Sequence, residues 1–166
     1  MDNKKFIIIY VILIVIILGM VVFSAVKTAI KSEESKKINI SIDEFNDIIL
    51  QSNNFNSSRV KKISDEELKE MFDISNDEIN IFYGKKSVLN TDASIYLLIE
   101  AKDNTDDILE KINSFGEKYE LKWSEYLESE YDIVKDRKIG IINNFIYCII
   151  SDDADDIIRD VENSNI

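Results

Sequence analysis

Apolar residues along this chain follow different rhythms, and each rhythm names a different kind of element. Residues 6–26, FIIIYVILIVIILGMVVFSAV, have no rhythm at all: twenty-one positions pass without a charge, with Lys4 and Lys5 before them and Lys27 after. At about 1.5 Å of rise per residue a helix of that length reaches roughly 31 Å, enough to cross a hydrocarbon core of about 30 Å. The stretch is predicted to be a transmembrane helix. A cleaved signal peptide has a shorter apolar run, about 7 to 15 residues, and Val22-Phe23-Ser24 makes a poor cleavage site. A buried core helix is disfavoured because so small a domain has no second surface to cover a helix that is apolar all round.

Beyond Lys27 the pattern breaks into short periods. Residues 27–40 are polar and mixed in charge, and read as a juxtamembrane linker. Ser41 with Glu44 makes a capping box ahead of Ile42, Phe45, Ile48 and Ile49 at helical spacing. The polar run 51–58 ends that helix, and residues 59–63 suit a short strand. A second box, Ser64 with Glu67, opens a helix over 65–72; Ser75 with Glu78 suggests a third over a single turn. Residues 79–83 alternate as a strand, and Gly84-Lys85-Lys86 reads as a turn or bulge. Ala93, Ile95, Leu97, Ile99 and Ala101 then share one face of a strand at period two.

Asp103-Asn104-Thr105 caps the longest predicted helix of the domain, residues 106–127. Its stripe is Ile108, Ile112, Phe115, Tyr119, Trp123 (Lys122 by strict count) and Tyr126, with acids in the first turn, where the helix dipole favours them. Strands at 138–142 and 145–150 flank Asn143-Asn144, a pair that tolerates the positive φ of a tight hairpin. Both strands are apolar enough to lie centrally in the sheet. Ser151 or Asp152 should cap a last helix at 154–161. The fold class is α+β: an N-terminal transmembrane helix, then one domain, residues 41–166, with a four- to five-stranded, mostly antiparallel sheet covered by helices.

Charge narrows the partners. Residues 27–166 carry 18 Lys and Arg against 31 Asp and Glu, a net charge of −13. Such a surface repels phosphate backbones, so nucleic acid is not an expected partner. The absence of histidine removes the commonest metal ligand and general base, and with them zinc sites and Ser or Cys triads as usually built. No cofactor or metal is expected. The acidic run Asp152, Asp153, Asp155, Asp156 lacks the central glycine and distal glutamate of a calcium loop, and suits N-capping better. A single cysteine, Cys148, permits no internal disulfide. Trp123, Tyr126 and Tyr131 are the aromatic candidates for a ligand or partner surface, with Trp123 more simply read as core.

Lys and Arg within fifteen residues of the span number two before it and four after it, which by the positive-inside rule favours a cytoplasmic domain. A five-residue leader before a long apolar run is, however, the layout of an uncleaved signal anchor, whose following domain is exported. An extracytoplasmic domain is expected, with the cell membrane as partner through residues 6–26.

The run SDEELKEMF at 64–72, LNTDAS at 89–94, WSEYLESEYDIV at 123–134 and the closing strand into SDDADDI together resemble a family of small envelope proteins of Gram-positive anaerobes, catalogued as a domain of unknown function. The resemblance spans about residues 40–162. Its most specific part is the spacing of Trp123, Tyr126 and Tyr131. Ser94 stands where an acidic residue is common, and Asn143-Asn144 where a glycine is common. The resemblance implies an anchored or lipidated α+β domain of the cell envelope and supplies no activity. With no catalytic machinery legible, the expected function is a non-catalytic interaction or accessory module, binding an envelope protein or wall component. The alternatives are a wall-glycan hydrolase using paired carboxylates, or a sensor input domain acting through a membrane partner.

Overall fold

The computed structural model describes residues 38–164. The span expected at 6–26 lies outside them; among the described residues no helix is long and apolar enough to cross a membrane. The elements run α1 (Ile42–Ile49), β1 (Val60–Lys62), α2 (Asp65–Phe72), β2 (Ile79–Ser87), β3 (Ile95–Ala101), α3 (Thr105–Trp123), α4 (Glu128–Lys135), β4 (Lys138–Ile142), β5 (Phe145–Ile150) and α5 (Ala154–Asn163). The five strands form one sheet in the order β1-β2-β3-β5-β4, every neighbouring pair antiparallel.

The sheet has helices on both faces. Ile95, Leu97 and Ile99 of β3, with Ile146, Cys148 and Ile150 of β5, pack against α2, α3 and α4. Tyr96, Leu98, Phe145 and Ile149 turn the other way, onto α1 and α5. Alternation at period two supplies both sets, and β3 is apolar at nearly every position because both its sides are covered. The face predicted for Ala93 through Ala101 is the face observed.

Both capping boxes form as the sequence implies: Ser41 and Ser64 each accept from the backbone three residues on, and Glu44 and Glu67 reach back. Asn104 caps α3 by accepting from the Asp107 N–H. Asn143 takes the left-handed φ of 57° in the β4–β5 turn, a conformation asparagine adopts more readily than most side chains.

Several expectations are corrected. The long helix stops at Trp123, not at residue 127: Ser124 donates from its hydroxyl to the Leu121 carbonyl, the chain turns, and a separate helix α4 begins. Strand β2 does not turn at Gly84 but runs to Ser87, with its irregularity between Ile79 and Ile81. Ser75 and Glu78 close a turn without forming a helix. Helix α5 is entered through Asp153, which makes no side-chain cap. The β4–β5 hairpin is central only through β5; β4 is an edge strand. Ile38 and Ile40, at the end of the stretch read as a linker, are buried in one cluster with Phe145 and Ile142. Cys148 is buried in the sheet, which closes off pairing between chains, and burial pushes its thiol pKa up to about 12.

Candidate functional site

An aromatic ladder climbs α3 from the core to the surface. Phe72 meets Phe115 at 4.1 Å between ring centroids, Phe115 meets Tyr119 at 5.0 Å, Tyr119 meets Trp123 at 6.0 Å, and Trp123 meets Tyr126 at 5.6 Å. The first rung joins α2 to α3, and the next two follow from the four-residue spacing of the stripe. The last does not: Tyr126 lies past the helix end, in a turn closed by its N–H donating to the Trp123 carbonyl. Trp123 is 3% exposed and Tyr126 59%. The turn lifts one ring out of the core and leaves it in edge contact with the buried one.

Opposite the ladder lies the β2–β3 connection, residues 88–94, fixed at several points. Val88 N–H donates to the Arg59 carbonyl, Ser94 N–H to Asp92 Oδ1 at 2.9 Å, Ala93 N–H to Glu130 Oε2 at 2.8 Å, and the Tyr119 hydroxyl to the Ala93 carbonyl at 3.3 Å. Between the connection and the ladder opens a cleft of about 450 Å³, whose walls include Met71, Lys86, Leu89, Tyr119, Trp123 and Tyr126, with Asn90 and Asp92 contributing polar groups. Six large apolar side chains are exposed among the described residues, and four of them, Val88, Leu89, Tyr126 and Leu127, belong to these two connections. That concentration singles out this end of the domain.

The cleft's charges are largely matched. Lys86 reaches Glu67 at 3.0 Å, and the Lys122 ammonium sits over the Tyr119 and Trp123 rings at 5.6 and 6.0 Å. Burial pushes the Asp92 carboxyl upward, but the Ser94 hydroxyl and amide, the Ser87 hydroxyl and the Arg59 charge outweigh it, leaving the carboxyl below its ordinary range. Trp123 Nε1 is buried without a hydrogen-bond partner. The Tyr119 hydroxyl is near enough to feel that indole: burial raises the Tyr119 pKa and the indole N–H works against it, without aligned hydrogen-bond geometry between the two.

A second cavity, of about 300 Å³, lies across the same connection and shares Leu89 and Asp92 with the cleft. It is polar, with Asn54, Arg59, Glu130 and Asp152 among its walls. A groove of about 330 Å³ between α2 and α3 is lined largely by charged side chains, of which Lys111 already pairs with Asp107 and Glu78.

Trp123 and Tyr126, singled out from sequence, are thus brought together, while Tyr131 is set apart on α4, half-buried against the core. The contributions of Met71, Lys86 and Leu89 were not legible, because a short helix, a strand and a connection converge there only in three dimensions. The acidic run at the start of α5 ties the fold together: Asp153 accepts from Ser52 at 2.5 Å, Asp152 from Asn54 at 2.7 Å, and Asp155, in the first turn, meets Lys138 at 2.8 Å. Among the described residues no group of three or more His, Cys, Asp or Glu is arranged to hold a metal.

Residues 53–151 match the family described as Domain of unknown function (DUF4358). The chain belongs to this family. The matched stretch contains the whole sheet, α2, α3 and α4, and thereby the entire aromatic cleft; α1 and α5, which cover the other face, fall outside it. It is narrower than the span of the resemblance read from sequence. No curated protein and no solved structure matches the chain.

Proposed function

We propose that this DUF4358 chain is a membrane-anchored envelope protein of a Gram-positive cell, held by residues 6–26, whose domain faces the extracytoplasmic side as a non-catalytic interaction module working through the aromatic cleft. What supports the interaction reading is the cleft itself: an exposed tyrosine on a buried tryptophan, with four of the six exposed large apolar side chains among the described residues in the two connections that border it. Exposed aromatic anchors beside polar rims are the usual makings of a recognition surface.

The hydrolase alternative draws on one observation, that Asp92, Glu130 and Asp152 line the polar cavity together. Glycoside hydrolysis needs one carboxyl kept protonated near neutral pH. Asp92 is shifted the other way, and all three carboxylates accept hydrogen bonds that hold the connections in place. The interaction reading is therefore preferred.

A photo-reactive phenylalanine analogue placed at Tyr126, and separately at Arg159 on α5, tests it in living cells. Position 126 is expected to form a discrete crosslinked species and position 159 none. Equal crosslinking from both positions, or none from 126, contradicts the assignment of the cleft as the contact surface.

A further inference from the structure

The two edges of the sheet are built differently. The β1 edge is three residues long and carries Lys61 and Lys62, both exposed, which is how natural edges are kept from pairing with other chains. The β4 edge is five residues, Lys138-Ile139-Gly140-Ile141-Ile142, in unbroken register with β5. Its one lysine is turned to Asp155, and Ile141 is 39% exposed. Bonded and non-bonded pairs alternate along an antiparallel ladder, and Ile142–Phe145, closing a two-residue turn, is a bonded pair. The amides and carbonyls of Ile139 and Ile141 therefore point away from β5. Among the described residues no backbone group of β4 bonds to anything outside the sheet.

From this we infer that β4 is a docking edge for a second copy of this chain, the two β4 strands pairing antiparallel about a two-fold axis so that two five-stranded sheets join into one. One register satisfies every outward group: Gly140 lies opposite Gly140 of the second copy, and Ile139 exchanges both backbone hydrogen bonds with its Ile141. Ile139 and Ile141 stand opposite Cys148 and Ile146 in the ladder and share their face. The pairing thus sets apolar against apolar and covers the exposed Ile141.

Three observations favour a second copy over a foreign strand. The first is charge. The chain carries −12 overall, so two copies repel over most of their surfaces. Around β4 the charges cancel: Arg137 is held by Glu120, Lys138 by Asp155, and exposed Lys135 adjoins exposed Asp136. The second is the lack of any pocket to read a foreign sequence, since strand addition draws specificity from pockets for alternate side chains. None of the cavities described above is lined by β4, and the Tyr147 ring fills the space over Gly140, where a Cβ would meet its hydroxyl at 2.6 Å. The third is where the chain enters the domain. Ile38 and Ile40 are buried on the α1 and α5 face, and Asn143 Nδ2 donates to the Ile38 carbonyl. A two-fold axis normal to the sheet puts that face of both copies on one side. Residues 27–37 can span at most about 40 Å, so both copies reach one bilayer. This last point rests on the anchored reading above, and confinement to one membrane raises the effective concentration for so short an interface.

The test uses the full chain in its own membrane, as two differently tagged copies expressed together, each carrying Ile141→Cys. The sole native cysteine, Cys148, is buried and does not compete. In the stated register the introduced thiols are diagonal neighbours, about 7 to 8 Å apart, within reach of a short bismaleimide. A covalent species of twice the chain's mass containing both tags is expected. Leu121→Cys, 72% exposed on α3, should yield at least tenfold less of it. In proteoliposomes, energy transfer between copies labelled at Leu121→Cys should fall to the level of random mixing when Ile141→Lys guards the edge, with Trp123 emission unchanged as the sign of an intact fold. Equal yields from positions 121 and 141, no double-tagged species from 141, a crosslink from 141 to a different protein, or energy transfer indifferent to Ile141→Lys overturns the proposal. None of these outcomes bears on the cleft, which lies on other residues and is tested from position 126.

Discussion

Glu67 shows how much one side chain ties together. It closes the cap of α2, receives a hydrogen bond from Lys61 at 2.7 Å and holds Lys86 against the cleft wall at 3.0 Å. The Lys61 hydrogen bond is the largest influence on its carboxyl; with Ser64 and Lys86 it outweighs the opposing effect of burial and holds the pKa at about 2, against an ordinary 4.5. Between those values the unfolded chain binds more protons than the folded one. The contribution is complete above pH 4.5 and is lost as the pH falls through 2. Other carboxylates, Glu78 and Asp92 among them, are also lowered and act in the same direction, so the Glu67 share must be read as a difference. Urea unfolding of wild type and Glu67→Gln at pH about 5 and about 3 should show the wild type losing more of its stability on acidification, by on the order of 1 kcal/mol after allowance for solvent screening. Equal losses in the two proteins would remove Glu67 from this role.

At the scale of elements, β2 is the instructive case. Gly84-Lys85-Lys86 has the composition of a turn, yet the strand passes through it, with Gly84 paired to Leu97. The glycine is there for space: a Cβ would stand 2.9 Å from Ile63 Cδ1 and 3.1 Å from the Tyr96 carbonyl oxygen. A backbone oxygen cannot swing aside as a side chain can. Gly84→Ala is therefore expected to cost about 1 to 3 kcal/mol, measured as a lowered urea midpoint at unchanged slope; an unchanged midpoint would show that this contact yields freely. The same contrast explains what the sequence could tell. Capping boxes, the period-two face of β3 and the Asn143-Asn144 turn are local signals, and all three appear in the fold. The break after Trp123 has no local signal, since WSEYLESEYDIV carries neither glycine nor proline. The chain bends there because Val134 of α4 packs into the same core as Trp123, a tertiary demand. The candidate site was legible only in its helical half for the same reason: Trp123 stood out on a stripe, whereas Leu89 and Lys86 reach it through the sheet.

The described residues form a sheet with two apolar layers, Ile38 to Val161 on one face and Ile63 to Ile150 on the other. The family match takes in the strands and the α2–α4 face that carries the cleft. This arrangement suits a module that presents one surface while an anchor outside the folded unit holds it in place. The proposal that ties the parts together is a domain displayed outside the membrane on an N-terminal span. It is tested most directly by adding proteinase K to intact protoplasts and following the chain with antibodies against the domain and against a tag on its N-terminus. The expected result is loss of the domain signal while the tag, beneath an undamaged membrane, persists in a short membrane-bound fragment. A domain that resists the protease until the membrane is lysed, or a full-length chain recovered in the soluble fraction without detergent, would contradict it.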